Sequence, residues 1–293
     1  KDIQLQSSLS DSSLAEFRKE VGIVFYMRSD FNSAEEYFIK SEKSFRKANM
    51  SLQATQMLGN RAVINDMKGD YKEAIAIYLQ VSNYFKEQND SISWASALGN
   101  IGAVYEEMGM ADKAIYYDKL SLAINLDMGD TLRAATKYNN IGVAFSELKN
   151  IPDSAVYYYT KAYNIYKDNG HALYSALVGS NLAMQHVMLK DFSLAKNYLE
   201  KAEPVFDSLG NQDGKATTLR YYGELYLAQG NKQKAVDYFE YAMDIFKELD
   251  SKKSLMETGT LLSNVYISME RFDKATQMMQ YANMLKDSLM SID

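Results

Sequence analysis

The chain has no cysteine among its 293 residues, which excludes disulfides, thiolate metal sites and cysteine nucleophiles. Only two prolines and 15 glycines interrupt it, so few positions break a helix. Two histidines leave little for an imidazole-based metal site or a nucleophile–base pair. No run of about 18 apolar residues exists, so no segment reads as a membrane-spanning helix. Basic residues number 32 against 38 acidic, a formal charge of −6, and no window is strongly basic. That balance argues against a nucleic-acid surface. No glycine loop of the phosphate-cradling type appears, and the carboxylates follow a helical solvent face instead of forming an isolated pair. The expectation is a protein with no enzymatic activity, cofactor or metal, no nucleic-acid partner and no membrane insertion. A cysteine-free chain suits both sides of a membrane, so the compartment stays open between cytoplasm and periplasm, with a slight lean to the periplasm if a leader was removed before Lys1.

What is present is a repeat. "DKAIYY" around Ala114 has counterparts at Ala34 ("SAEEYF"), Ala74 ("EAIAIY"), Ala155 ("SAVYYY"), Ala195 ("LAKNYL"), Ala235 ("KAVDYF") and Ala275 ("KATQMM"). The spacing is 40 residues throughout, save one step of 41 between Ala114 and Ala155. About twelve residues before each alanine stands a small residue: Gly22, Ala62, Gly102, Gly142, Ala183, Gly223 and Ser263. Three residues later an aromatic often follows, as at Phe25, Tyr105, Phe145 and Tyr226. Small residues let two helices approach, and large ones fill the space beside them. Each unit therefore reads as two helices joined by a turn. Gly69, Gly109 and Gly230 suit helix C-termini, and Asp70, Asp191 and Asn231 suit the following N-caps. Pro152 fits a first helical turn, and the extra residue of the fourth unit is expected in the turn between Lys149 and Ser154. Seven antiparallel pairs follow, each needing its neighbours to cover its apolar face.

Gly-x-x-Tyr, a turn such as "GDYKEAIAIY" or "GNKQKAVDYF", then alanine with an aromatic four later, resembles the tetratricopeptide (TPR) repeat. The resemblance runs from about Ala15 to the C-terminus. Two departures stand out. The period is about 40, not 34, so the second helix or its following turn is expected to be longer. The consensus tryptophan is missing, and the lone Trp94 lies elsewhere. Long repeats of this kind are similar to those of the adaptor Pins and of TPR sensor regions in bacterial regulators. The resemblance implies an all-α, right-handed superhelical solenoid of seven repeats, with the first helix of each pair lining a concave groove. A weakly ordered segment 1–13 and one solenoid domain over 14–293 are expected.

On each first helix one face holds the residues three and two before the small residue, one after it, and four and five after it. Two before stand Asn60, Asn100, Asn140 and Asn181, and Asn139 shares the face. Asparagine is a mediocre helix former, so its recurrence needs a reason. A carboxamide can accept from one peptide N–H and donate to one C=O, so a row of them can hold an extended main chain. This is similar to the asparagine rows of peptide-binding TPR grooves. The alternative is that these amides bond to neighbouring helices. Gly59 and Gly99, beside two of them, are expected to clear space on the inner wall. Later units change to Arg220, Tyr221 and Glu224, with Asn264 nearby, and Arg220 and Glu224 are spaced to pair with each other. Asp66, Glu106, Glu107 and Glu147 make the middle of the groove acidic, which either favours a partner segment carrying Lys or Arg or is a solvated acidic face alone.

The function read here is the capture of a peptide or protein segment. The rival is a sensor or dimerisation scaffold within a larger bacterial signalling or transcription-regulatory protein, since the last helix carries an apolar stripe (Met278, Met279, Ala282, Leu285, Leu289, Ile292) that suits a cap or a homodimer. His171 is expected in a surface turn, and His186 in a core aromatic position.

Overall fold

The structure, a computed structural model, describes residues 10–290, and these are helical apart from short turns. The helices are α1 (Asp11–Met27), α2 (Phe31–Lys47), α3 (Ser51–Met67), α4 (Tyr71–Glu87), α5 (Ser91–Glu107), α6 (Ala111–Asp127), α7 (Thr131–Val143), α8 (Pro152–Asp168), α9 (Ala172–Met188), α10 (Phe192–Ser208), α11 (Gln212–Ala228), α12 (Lys232–Glu248), α13 (Lys252–Ser268) and α14 (Phe272–Met290). A π-helical turn, Ala144–Leu148, continues α7. The seven expected pairs are present. Of the segment expected to be weakly ordered, residues 1–9 lie outside the described residues, while α1 opens at Asp11 with Ser10 capping the Ser13 amide.

Asp30, Asp90, Asp130, Asp191, Asn211 and Asn231 each cap the amide three residues on. Asp70 occupies an N-cap position but makes no such bond. Each turn holds one residue at positive φ, recurring about every twenty residues: Ser29, Asn49, Gly69, Asn89, Gly109, Gly129, Asn150, Gly170, Lys190, Gly210, Gly230, Asp250 and Glu270. The next amide bonds back five residues, as from Asp70 to Asn65 and Asn231 to Tyr226, which closes the helix end in the Schellman manner. Turns within and between pairs are thus alike. Nearly every helix has 17 residues, so the long period is shared between both helices of the pair, not loaded on the second.

The extra residue of the fourth unit is not in the turn between Lys149 and Ser154. That turn keeps its three residues, with Asn150 at φ 52° where Gly109 stands at 68°. The insertion is taken up by the π turn. The Ile151 amide reaches back six residues to the Phe145 carbonyl, where Met110 reaches five to Tyr105. A π turn absorbs one residue without ending the helix.

The chain divides into two compact units, one up to Ala144 and one from Phe145. In the first, α1 to α7 pack each against the next; in the second, α8 to α14 do the same, and α9 also meets α11. The repeated alanines at positions 34, 74, 114, 155, 195 and 235 are fully buried. Beside them large side chains cover small ones. A Cβ on Gly22 would stand 2.8 Å from the Phe38 ring, and one on Gly223 2.6 Å from the Phe239 ring. Ring stacking repeats at Phe25–Tyr37, Tyr105–Tyr117, Phe145–Tyr158 and Tyr226–Tyr238. His186 takes the same place, stacked on Tyr198 with ring centroids 5.7 Å apart, and burial lowers its pKa. His171 sits in its turn against Tyr166 and Tyr174.

Candidate functional site

In the first unit, α3, α5 and α7 carry the asparagine register. Asn100 is exposed, while Asn60, Asn139 and Asn140 are half-buried. Asn60 borders a recess of about 350 Å³ with Ile23, Tyr26, Phe38 and Val63. Asn140 faces a neighbouring helix: its side chain meets the carboxylate of Asp118 on α6. Lys137 Nζ stands 3.2 Å from Asp118 Oδ1. The carboxylate oxygens lack well-aligned hydrogen bonds, so charge rather than directional bonding holds them. Burial raises the Asp118 pKa, and Lys137 and Asn140 pull it back.

Gly99 does not open the wall to a ligand. A Cβ there would collide with the Lys137 ammonium, so the glycine makes room for the ion pair. Gly102 does the same for Asp118, whose carboxyl carbon would lie 3.2 Å from a Cβ. Gly59 has open space beside it. The pair itself escaped the sequence reading, although the 40-residue register shows it. Asp118 stands where other units place Phe38, Tyr78, Tyr159, Leu199 and Phe239, and Lys137 where they place Met57, Ala97 and Val178.

Asp66, near the end of α3, is half-buried with one carboxylate oxygen unpartnered. Burial and then Glu107 push its pKa up to about 6. Glu106 is half-buried beside the exposed Glu107. A carboxyl raised from 3.8 contributes its stability below that pH and loses it as pH rises through about 6. Asp66→Asn is therefore expected to raise Tm near pH 8 and to leave it unchanged at pH 4. Thermal melts at both pH values check this, and an equal shift at each would place the cause elsewhere.

In the second unit, the predicted residues Arg220, Tyr221 and Glu224 of α11 come together in a pocket of about 500 Å³. First helices and the π turn make its whole wall: Ser146 and Glu147; Met184, Gln185 and Met188 of α9; Lys253, Ser254 and Glu257 of α13. Asn181 precedes Gln185 by one turn of α9, so it shares the pocket's side of that helix. Asn264, exposed, lies two turns beyond Glu257 on the corresponding side of α13. Arg220 Nη1 pairs with Glu224 Oε1 at 3.2 Å, as their spacing predicted, and its guanidinium lies 4.8 Å from the centre of the Tyr221 ring. Burial raises the Glu224 pKa, Arg220 opposes that, and Glu257 reinforces it. Burial also raises the pKa of Tyr221. Ser146, Gln185, Lys253 and Glu257 were missed by the sequence reading. The apolar stripe of α14 is mostly used inside its own unit: Ala282 and Leu285 are buried and Met278 packs on the core, leaving Met279 exposed; Ile292 lies outside the described residues.

Among the described residues, no group of three or more His, Asp or Glu side chains is placed to hold a metal ion, and no helix is long and apolar enough to cross a membrane. The tetratricopeptide repeat model matches residues 93–168 and 173–248. No curated protein matches the sequence. Several solved structures share the fold. The apo form of RapI has a TM-score of 0.78 at 12% identity, over 94% of this chain and 99% of that one. Aspartyl phosphate phosphatase F from Bacillus subtilis has a TM-score of 0.79 at 12% identity, over 97% and 74%. The Rap conjugation gene regulator of the plasmid pLS20, solved with the Phr* peptide, has a TM-score of 0.66 at 15% identity, over 97% and 78%.

Proposed function

The chain belongs to the tetratricopeptide repeat family, and we propose that it is a non-catalytic module that holds an extended peptide or protein segment on the open faces of its first helices. One observation carries this reading: the pocket of the second unit is walled by first-helix residues and the π turn alone. The structural likeness to a regulator solved with a peptide lends it support. Asn60 and Asn100 in the first unit, and Asn181 in the second, each offer a carboxamide to a main chain held on that unit. Asn140 is engaged with Asp118, so its contribution to a ligand is smaller.

Each amide contact contributes about 0.5–1.5 kcal/mol net, so Asn181→Ala is expected to weaken partner binding about 2- to 13-fold. The melting temperature stays within a degree or two, because the side chain is only half-buried. Titration of a partner captured by the wild-type chain measures the first, and calorimetry the second. Unchanged affinity overturns the reading. A second reading, self-association as a sensor or dimerisation scaffold, draws on α14, where Phe272, Met279 and Met284 are exposed. Sedimentation velocity separates the two: a monomer at every concentration removes the homodimer.

A further inference from the structure

Gln185 is out of place in its register. The equivalent positions are Val24, Ile64, Val104, Ala144, Leu225 and Val265. It is 3% exposed, nearly as buried as these apolar residues except the exposed Val24 of the first helix. Its Nε2 donates to Ser146 Oγ at 2.7 Å, and Ser146 belongs to the π turn. Its Oε1 has no donor, and Gln185 lines the pocket. An unpaired buried carbonyl costs about 1–3 kcal/mol, a cost that a bound donor removes.

The surrounding charge says what kind of donor fits. Glu224 is engaged by Arg220. That leaves Glu147 and Glu257 against Lys253 on the same wall, an excess of one negative charge. Ser146 and Glu147 both belong to the π turn. π turns of this kind often mark functional sites. We propose that this pocket receives the cationic side chain of an arginine in the bound segment, its N–H groups donating to Gln185 Oε1 and to the carboxylate of Glu257. A guanidinium supplies several donors in a planar fork and suits a site with both a carbonyl and a carboxylate to fill. This inference rests on the groove reading and adds the side chain that the groove selects.

The test uses the full chain and three end-blocked pentapeptides, Ala-Ala-X-Ala-Ala, with X arginine, citrulline or glutamate. Citrulline keeps the shape of arginine and loses its charge. By calorimetric titration the arginine peptide is expected to bind about tenfold or more tighter than the citrulline peptide. Glu257→Gln should erase that difference, and Gln185→Leu should reduce it, while Asn181→Ala weakens both peptides alike. Equal binding of the arginine and citrulline peptides overturns the inference and leaves main-chain capture standing. An arginine preference in a chain whose affinity for both peptides Asn181→Ala leaves unchanged sustains the inference and counts against the amide clamp. A preference for glutamate, or no binding of any peptide at millimolar concentration, overturns the inference. Circular dichroism of each variant confirms that it folds, and Glu257→Gln, a nearly isosteric change on a half-buried side chain, keeps the test decisive if Gln185→Leu does not.

Discussion

Lys137→Met is expected to lower the unfolding free energy by about 3–5 kcal/mol, the largest effect of any single polar substitution considered. The reason is the partner it abandons. Asp118 is fully buried on α6 in a position that the other units fill with an aromatic, leucine or methionine. Its ammonium partner lies at 3.2 Å, and the carboxylate has no well-aligned hydrogen bond to fall back on. Without Lys137 the carboxyl must stay charged in an apolar setting or take up a proton. The loss is therefore expected to grow between pH 5 and pH 8, since a carboxyl with a raised folded-state pKa loses stability as pH rises. Urea denaturation at the two pH values measures it. The double variant Asp118→Phe with Lys137→Met recreates the Phe38–Met57 arrangement, and Gly102 leaves room for the ring as Gly22 does for Phe38. It should recover most of the loss or exceed the wild type, because an apolar replacement of a buried ion pair is often neutral or stabilising. A cost below about 1 kcal/mol for Lys137→Met would falsify the view that the pair is desolvated.

Phe239→Ala should cost about 3–5 kcal/mol. Phe239 has no exposed surface and sits in a core with Ala235, Ala242, Leu219 and Leu262. Its ring lies against Gly223, so close that a Cβ there would be 2.6 Å away. The cavity cannot close easily between rigid helices. Coupling tests the contact directly. Gly223→Ala alone overpacks the site, by about 1–3 kcal/mol. In a Phe239→Leu background it should cost much less, since the fifth unit pairs Ala183 with Leu199 at these same positions. Additive costs in the two backgrounds would show that ring and glycine do not touch. Because stability in such arrays spreads from neighbour to neighbour, the effects of Phe239→Ala and Gly223→Ala should appear first in the melting of the second unit, seen by amide exchange.

How much of this was readable beforehand depends on whether a residue acts within its own repeat. The alanines at 34, 74 and 114, the turn glycines at 69, 109 and 230, and the His186 ring obey local rules of helix packing and termination, and all were legible from spacing. So was the Arg220–Glu224 pair, four residues apart on one helix. Gly99 was misjudged because its neighbour, Lys137, lies 38 positions away on another helix. The inserted residue of the fourth unit was expected in the turn beside Pro152; the π turn became visible only through the backbone bond from Ile151 to Phe145.

The sequence by itself therefore determined the helix pairs, their number and their register, because a hydrophobic period and a turn every twenty residues are properties of the chain read locally. Only the tertiary structure decided which polar side chains share an enclosed space. Lys137 with Asp118, and Ser146 with Gln185, belong to different helices, and their charges and hydrogen-bonding groups interact at distances set by packing, not by sequence separation.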